Sequence, residues 1–301
     1  MTEKLLINRV TDPEIPKFWE IFCTTQPSSC IEPMGKWIRR HKQLSIFEKQ
    51  FFFLIKRNNV PIACVELRNR RLMRFSILPM YLELGYEILE VIIAKAREMG
   101  SIYLKTAYDE KYHPFFQKHD FKTRYQRIIK QKSLEKIQYT SNIKRTAFLL
   151  EKVQQNNVKE LAEFFYVVYY GGVDYNYGIA ARTIKEWKDE IQKNLSGRYG
   201  TFLTVSSLIL RDKIKKNIIG TIFTTKWLPK TAKITTIGVS KDYQRQGIGT
   251  FLIQRSMEIL ARRGYRYIQL DVTVDNEAAM NLYNKLKFEK LSGEYTAEKF
   301  L

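Results

Sequence analysis

The residues best suited to chemistry surround a glycine-containing turn in the second half of the chain, Gln244-Arg245-Gln246-Gly247-Ile248-Gly249. A glycine at the opening of a helix lets the backbone come close to a ligand, because no Cβ stands in the way. The unpaired N–H groups of the first helical turn then point at that ligand, and the helix dipole favours an anion there. The pattern predicts a phosphate or pyrophosphate site; the alternative is a tight strand-to-helix turn that binds nothing.

A strand before the turn and a helix after it are predicted to position these groups. Ile234, Ile237 and Val239 form a short apolar run typical of a strand. Beyond the turn, residues of one helical face recur as far as the stop signal at Gly264: Leu252, Ile253, Ser256, Met257 and Leu260. The turn is neither a dinucleotide fingerprint nor a Walker loop, because the third glycine of the former and the Gly-Lys-Ser/Thr of the latter are missing.

A second group of polar residues follows the next predicted strand. Apolar residues alternate from Tyr267 to Val274, as in a half-buried strand, and Asp275 is a predicted N-cap for the helix beyond. Asn276 and Tyr283 are seven residues apart, so both lie on one face of that helix, two turns from each other. We expect these two side chains to face the same ligand as the glycine turn.

Together the two segments resemble motifs of the GNAT N-acetyltransferase superfamily. Gln244, Gly247 and Gly249 match its acetyl-CoA loop, Gln/Arg-x-x-Gly-x-Gly/Ala. The later segment is similar to Asn-x-x-Ala-x-x-Leu-Tyr-x-x-x-Gly-Phe in the following residues: Asn276, Ala279, Leu282, Tyr283 and Phe288. Lys287 stands where the family usually has glycine.

The resemblance implies an enzyme that moves an acetyl group from acetyl-CoA directly to a primary amine. It assigns Tyr283 as the general acid for the CoA sulfur, since a phenol keeps its proton at neutral pH. Asn276 would contact the pantetheine arm or a water, and Arg245 would add a charged contact to a phosphate. The full set of implied acetyl-CoA-binding residues is Ile237, Gly238, Val239, Gln244, Arg245, Gln246, Gly247, Ile248, Gly249, Asn276, Ala279 and Tyr283.

The acceptor site and the general base are less visible. The stretch 166–178 contains five tyrosines, three glycines and Asp174, and we predict a loop there. Asp174, Tyr175 and Tyr177 would suit a cationic amine or a peptide N-terminus, although a tyrosine-rich surface loop is the alternative. Some family members have a glutamate on the strand before the turn, where this chain has Thr235 and Thr236. A water chain or Asp174 remains as the base.

The chain as a whole is interpreted as a tandem repeat of one α/β unit. Corresponding strands, hairpins and helices recur in both halves, which predicts a mixed sheet in each of two GNAT-like domains, 1–135 and 144–301. A hairpin of strands 51–57 and 60–67 about Asn58-Asn59, for example, has its counterpart in the predicted strands 201–210 and 218–226. Aligning Gly85 with Gly249 places Glu83 opposite Gly247 and Met80 opposite Gln244, and a separate match of 116–121 with 283–288 places Phe116 opposite Tyr283. A carboxylate repels a pyrophosphate and phenylalanine has no acidic proton, so we expect a degenerate first copy.

Composition restricts the remaining possibilities. Net charge is +20 and is shared evenly by the two halves of the 301 residues. Such a field attracts anions, CoA included, but no nucleic-acid-binding motif accompanies it, so we expect no nucleic-acid partner. The histidines and cysteines lack metal-ligand spacing, which predicts no metal: His41, His113, His119, Cys23, Cys30 and Cys64.

The predicted location is the cytoplasm. The first residues are too charged for a signal peptide, no apolar run approaches the length of a membrane span, and the odd cysteine count suits a reducing compartment. Two other functions remain open: a non-catalytic CoA-binding regulatory protein, and an acyltransferase with a different acyl donor. The amine acceptor, the acyl chain and the oligomeric state are not specified by the sequence.

Overall fold

The structure, a computed structural model, describes residues 4–25, 34–135 and 147–301. The first half of the chain contains the following elements: β1 Leu5–Arg9, α1 Ile15–Thr25, α2 Met34–Lys42, α3 Ile46–Lys49, β2 Phe52–Arg57, β3 Val60–Arg68, β4 Arg71–Ile77, α4 Gly85–Glu98, β5 Tyr103–Asp109, α5 His113–Lys118 and β6 Lys122–Ser133.

The second half repeats this arrangement. Its elements are β7 Phe148–Lys152, α6 Val158–Tyr169, α7 Val173–Asn176, α8 Ile184–Leu195, β8 Thr201–Phe202, β9 Leu208–Asp212, β10 Ile218–Leu228, β11 Thr231–Val239, α9 Ile248–Arg262, β12 Tyr267–Thr273, α10 Glu277–Lys285 and β13 Glu289–Phe300. Strands and helices alternate with both parallel and antiparallel pairing, so the predicted mixed α/β architecture is confirmed.

Two compact units make up the chain, and each takes one strand from the opposite half of the sequence. The first unit is Met1–Gln126 with Ser292–Leu301, and the second is Arg127–Leu291. In the second unit, Arg127–Ser133 of β6 pairs antiparallel with all of β12. In the first unit, Glu294–Phe300 of β13 pairs antiparallel with all of β5.

These units differ from the predicted domains 1–135 and 144–301. The difference arises because an edge strand requires a hydrogen-bonding partner, and the partner of β12 is β6, which precedes the expected joint. Ile128 and Leu134, from the same segment, are buried in the core of the second unit.

In each unit the central pair of parallel strands separates after a short contact. Strands β11 and β12 pair only through Thr231–Ile234 and Tyr267–Leu270, and β4 and β5 only through Arg71–Leu72 and Lys105–Thr106. A register irregularity follows the last of these paired residues in each unit, in the β10–β11 and the β3–β4 pairs. An extra residue bends a strand away from its neighbour, so a gap opens beyond each irregularity.

Helices cover the gap-forming strands from both sides. In the second unit, α9 and α10 pack on one face of the sheet with Ile268, Leu270 and Val272 of β12. The other face of that unit's sheet packs under α6 and α8 through a separate apolar cluster. Among the described residues, no helix combines the length and the apolar character needed to cross a bilayer.

Two predictions of local structure were wrong. The expected loop 166–178 is largely helical, because α6 continues to Tyr169 and Val173–Asn176 forms a further turn. The expected single strand 201–210 is divided into β8 and β9 by a turn, in which Ser206 and Ser207 bond to Leu203. By contrast, the predicted hairpin at Asn58-Asn59 is confirmed: both residues adopt left-handed φ values, 49° and 62°, as a tight hairpin turn requires.

The exchange of strands leads to a prediction for fragments of the chain. A fragment comprising residues 144–301 lacks β6, so it exposes the edge of β12 and loses two buried apolar residues worth about 3–6 kcal/mol together. We expect it to melt roughly 10 °C or more below a fragment comprising 122–301, and to be less soluble. Thermal melts followed by circular dichroism compare the two, and coincident melts would contradict the structural role of β6.

Candidate active site

The gap between β11 and β12 presents backbone groups of β11. Ser240 donates its N–H to Ile219 O of β10, so by alternation the polar groups of Ile237 and Val239 point away from β10 and towards the gap. Two of these groups are already paired: Ile237 O accepts from the Tyr169 hydroxyl at 3.0 Å, and Val239 O accepts from Gln244 Nε2 at 3.2 Å. The N–H groups of the same two residues face the gap.

At one end of the gap, the glycine turn presents further N–H groups. Gln244 is extended, whereas Arg245 and Gly247 adopt left-handed φ values of 62° and 83°. Gly247 is the N-cap of α9 and provides no side chain to satisfy the first-turn N–H groups. Successive N–H groups of a turn that contains left-handed residues form a concave nest, which is the geometry of an anion site.

Gly249 has a different role from Gly247. A Cβ on Gly249 would lie 3.1 Å from Leu282 Cδ2 of α10, so its absence allows α9 and α10 to pack closely. Helix α10 thereby holds its own polar residues beside the turn.

The N-cap of helix α10 is Asn276 and not the predicted Asp275. The Asn276 Oδ1 accepts from Ala279 N at 3.1 Å, which is the N-cap hydrogen bond. Asp275 instead accepts a hydrogen bond from the Tyr177 hydroxyl. The side-chain oxygen of Asn276 therefore stabilises the helix, and its amide nitrogen is the atom left for a ligand.

Tyr283 lies on the same face of α10 as Asn276, two turns further along the helix, and its side chain is 5% exposed. Its ring meets Phe288 edge-on at 5.8 Å. Burial raises the pKa of Tyr283, and the negative charge of Asp174 raises it further. The same two causes, with a smaller contribution from Tyr283, raise the pKa of Tyr169. Both phenols are therefore protonated at neutral pH.

Asp174 is held beside these two tyrosines by β12. Its Oδ1 accepts a hydrogen bond of 2.6 Å from the Thr273 hydroxyl at the end of that strand. Of the other predicted acceptor residues, Tyr175 packs against Tyr170 at 5.1 Å, and Tyr177 bonds to Asp275. The structure thus brings together Asp174, Thr273, Tyr169 and Tyr283.

Sequence reasoning missed the residues that β6 contributes. Lys130 is 5% exposed, and its Nζ donates to Asn284 Oδ1 at 2.9 Å and to Phe288 O at 3.1 Å. It places a cation at the C-terminal end of α10, where the helix dipole favours one. Arg127 lies opposite Thr273 in the β6–β12 register. No local signal identifies either residue, because their partners lie far along the chain.

In the first unit, aromatic residues occupy the corresponding gap. The Leu78 N–H donates to Ile62 O of β3, just as the Ser240 N–H donates to Ile219 O of β10. Ile77, the residue before Leu78, therefore corresponds to Val239, the residue before Ser240. The Ile77 N–H, which faces the gap, donates to the Tyr112 hydroxyl at 3.2 Å.

The rings that surround Tyr112 close this gap further. Phe75 meets Tyr112 at 4.9 Å and Phe116 at 5.5 Å. Tyr108 stacks on Phe116 at 3.9 Å.

The turn of the first unit is also shorter. Tyr81 and Tyr243 make the same backbone bond, to Leu78 O and Ser240 O respectively. Gly85 and Gly249 also correspond: an added Cβ would clash with Phe115 at the first position and would press on Leu282 at the second. Gly85 follows Tyr81 by four positions, whereas Gly249 follows Tyr243 by six. The turn of the second unit is therefore two residues longer. The predicted pairing of Met80 with Gln244 is therefore wrong, since Met80 precedes Tyr81 as Asp242 precedes Tyr243, and the pairing of Glu83 with Gly247 stays a prediction. A 3-10 helix, Pro79–Leu84, stands in place of the left-handed turn.

Among the described residues, no group of three potential metal-binding side chains is found. Cys30 lies outside the described residues, and Cys64 is buried. Burial raises the pKa of the Cys64 thiol, which keeps it protonated.

Comparison with known proteins gives the following matches. Residues 174–288 match the model of the acetyltransferase (GNAT) family. Over 55 residues the chain is 44% identical to N-alpha-acetyltransferase 30 of Schizosaccharomyces pombe, covering 18% of this chain and 37% of that protein. Over 59 residues it is 39% identical to the [ribosomal protein bS18]-alanine N-acetyltransferase of Escherichia coli, covering 20% and 40%. The chain thus spans well under half the length of these relatives.

Solved structures match over almost the whole chain. A GCN5-related N-acetyltransferase from Sphaerobacter thermophilus superposes with a TM-score of 0.71 at 13% identity, covering 98% of this chain and 95% of that one. A tandem GNAT protein from the clavulanic acid biosynthesis pathway gives 0.64 at 9%, covering 98% of both. At these identities the match establishes the fold, which is that of two tandem GNAT-like domains.

The buried tyrosines lead to a prediction for stability at high pH. Folding raises the pKa of Tyr283 above its unfolded value of about 10, so its contribution to stability is complete below pH 10 and is lost as pH rises further. The loss approaches about 1.4 kcal/mol per pH unit for one tyrosine. We expect Tyr283→Phe to lose stability less steeply than the wild type between pH 9.5 and 11 in urea titrations. Equal slopes would contradict the raised pKa, and Tyr267→Phe, an exposed tyrosine of the same unit, serves as control.

Proposed function

We propose that this chain, whose residues 174–288 match the model of the acetyltransferase (GNAT) family, is an N-acetyltransferase that moves an acetyl group from acetyl-CoA to a primary amine. The observation that supports this most directly is the gap between β11 and β12, which has an anion-binding turn at one end and a protonated phenol beside it. That arrangement suits a long donor with a pyrophosphate at one end and a thioester at the other.

The donor side of the site is formed by backbone groups. The N–H groups of the Gly247 turn and of the first turn of α9 would bind the pyrophosphate. The gap-facing N–H groups of Ile237 and Val239 would bind the pantetheine amides and the thioester carbonyl, and would stabilise the charge that develops on that oxygen. Asn276 would add its amide nitrogen and Ala279 a small side chain that leaves the gap open.

On the acceptor side, Asp174 would bind the ammonium group of the substrate and accept a proton from it. The Thr273 hydroxyl holds one carboxylate oxygen and leaves the other for the amine. Of the two bases that the sequence leaves open, Asp174 is favoured by its position beside Tyr283.

Tyr283 would donate its proton to the leaving thiolate, and its phenolate would regain a proton as the new amide nitrogen loses its second one. The charge of Asp174 helps to keep this phenol protonated before the reaction. When Asp174 takes a proton from the amine, that charge is neutralised and the phenol becomes a stronger acid. The two transfers are therefore coupled in the order that the reaction requires.

A screen of amines with release of free CoA as the readout tests this proposal. Polyamines, amino acids, aminoglycosides and peptides are supplied with acetyl-CoA, and then with longer acyl-CoA donors. Amine-dependent release of thiol supports a transferase, and the donor series identifies the acyl group. Binding of acetyl-CoA without release by any amine would favour a regulatory CoA-binding protein instead.

Replacing Tyr283 by phenylalanine should separate binding from turnover. The change removes one oxygen from a residue whose ring packs against Phe288, so the fold and the affinity for acetyl-CoA should stay nearly unchanged. General acid catalysis is worth roughly 10²–10⁴-fold in rate, and kcat should fall by that factor. A fall of less than threefold with a good acceptor would show that another group protonates the thiolate.

One acetyl-CoA should bind per chain, in the second unit. In the first unit the Tyr112 hydroxyl already occupies the N–H that corresponds to that of Val239, and its turn lacks left-handed residues. Calorimetric titration should give a stoichiometry near one. Gly247→Glu should abolish binding, because it adds a carboxylate at a left-handed position, while the control Glu83→Gln should leave binding intact. Two equivalent sites would refute the view of the first unit as a degenerate copy.

A further inference from the structure

The turn between β9 and β10 carries three exposed lysines. The five residues that join these strands are Lys-Ile-Lys-Lys-Asn, and Lys213, Lys215 and Lys216 are all exposed. In the part of the chain that the structure describes, none of their ammonium groups forms a hydrogen bond or an ion pair. Ile214 between them is 91% exposed. Three unpaired cations on one short turn attract an anion.

The backbone of this turn is fixed, although its lysine side chains are unpaired. Asp212 Oδ1 accepts from Ile214 N at 2.8 Å and from Lys215 N at 2.9 Å. Lys216 N donates to Asp212 O at 2.9 Å, and Lys216 O accepts from Arg211 Nη1 at 3.1 Å. These bonds hold Lys216 at a left-handed φ of 60°, which is unfavourable for a residue with a Cβ. A turn held in one conformation loses little freedom when it binds a ligand.

A hydrogen bond connects the turn to the proposed pyrophosphate site. The Tyr243 hydroxyl donates to Asp212 Oδ2 at 3.0 Å, and Tyr243 ends the 3-10 helix that leads into the glycine turn at Gln244. The bonds that Asp212 accepts from two backbone N–H groups and from Tyr243 lower its pKa, so this carboxylate stays ionised, but the three lysines outnumber it. The lysine turn therefore lies beside the backbone groups proposed to bind the pyrophosphate.

The first unit has no such turn. Its strands β2 and β3 correspond to β9 and β10, because Ile62 O and Ile219 O accept equivalent bonds from Leu78 and Ser240. Only two residues, Asn58-Asn59, join β2 and β3, whereas five join β9 and β10. The longer turn with its lysines therefore belongs to the unit whose gap is open.

Coenzyme A has a third phosphate close to its pyrophosphate. The pyrophosphate is attached to C5′ of the ribose and the third phosphate to C3′ of the same sugar, so one ribose separates the two anions. A phosphate monoester carries a charge of about −1.5 to −2 at neutral pH. Among the groups of the donor it gains most from several ammonium groups, which donate charge-assisted hydrogen bonds to its oxygens.

We infer that the β9–β10 turn binds the 3′-phosphate of the acyl-CoA donor through Lys213, Lys215 and Lys216. This inference rests on the proposed N-acetyltransferase function, in which the glycine turn binds the pyrophosphate. The glycine turn recognises a group that CoA shares with 3′-dephospho-CoA. The lysine turn recognises the phosphate that distinguishes them, and so selects CoA.

Calorimetric titration of the full-length protein with CoA and with 3′-dephospho-CoA tests this inference without turnover. Both ligands have the pantetheine arm, the pyrophosphate and the adenine, so the ratio of their Kd values isolates the 3′-phosphate. We expect CoA to bind about tenfold more tightly at low ionic strength, because exposed ion pairs are weak singly but three act together here. Added salt should lower the ratio, because it screens exposed charges.

A triple variant of the turn locates the effect. Lys213→Gln, Lys215→Gln and Lys216→Gln together should lower the ratio to about twofold or less, because the ion pairs with the phosphate are lost. Ile214→Ser changes the turn without changing its charge and should keep the wild-type ratio. A second triple variant removes the same charge from other exposed positions of the second unit, one of them also at a left-handed φ, and should keep the ratio too: Lys185→Gln, Lys226→Gln and Lys230→Gln. Thermal melts check that each variant folds.

The outcomes separate this inference from the proposed function. If the wild-type protein binds CoA and 3′-dephospho-CoA equally well, the inference is overturned while the N-acetyltransferase function stands. The same holds if the triple variant of the turn keeps the wild-type ratio, or if the second triple variant loses it, since net charge would then account for the preference. If the protein binds neither ligand and no amine releases CoA from acetyl-CoA, the proposed function itself fails.

Discussion

The separation of β11 and β12 is the constraint on which the site depends. Two parallel strands that pair for four residues and then diverge leave backbone donors and acceptors facing a gap. Such groups must find partners, because unpaired buried backbone groups are unfavourable. Tyr169 and Gln244 satisfy the carbonyls of Ile237 and Val239, and the N–H groups remain for a ligand.

The first unit meets the same constraint in a different way. Its strands β4 and β5 also diverge, but Tyr112 provides a hydroxyl for the Ile77 N–H, and Phe75 and Phe116 fill the space. The position that corresponds to Tyr112 in the second unit is Ala279, one turn before Tyr283 on α10, as Tyr112 is one turn before Phe116. The exchange of a small for a large aromatic side chain at this position is therefore one of the differences between the open gap and the filled one.

The sequence predicted the parts of the site that depend on neighbouring residues. The turn at Gly247, the helix that follows it, and the common face of Asn276 and Tyr283 all follow from spacing within about ten residues. The N-cap was displaced by one position, because Asp275 and Asn276 are both good caps and tertiary contacts decide between them: Tyr177 bonds to the former. Asp174 was identified as a charged residue in an aromatic stretch, but its bond to Thr273 depends on a strand about a hundred residues away.

What could not be predicted is the origin of β6. Nothing near Arg127 or Lys130 indicates that they complete the second unit, because strand pairing is decided by which edges are left over once the sheet assembles. The two-residue difference between the turns was similarly hidden, since Gly85 and Gly249 align equally well with either loop length. Only the hydrogen bonds of Leu78 and Ser240 locate the insertion.

The exchange of strands has a consequence for how the chain is made. Gln131 pairs with Gln269, 138 residues later, and Tyr103 bonds to Glu298, 195 residues later. At about 5–20 residues per second, a ribosome needs roughly 7–28 s to complete the shorter of these intervals. During that time β5 and β6 lack their partners, and their free edges are open to pairing with other chains. Neither unit can therefore complete its sheet during synthesis until β12 and β13 have emerged, so shielding of these strand edges would protect the nascent chain.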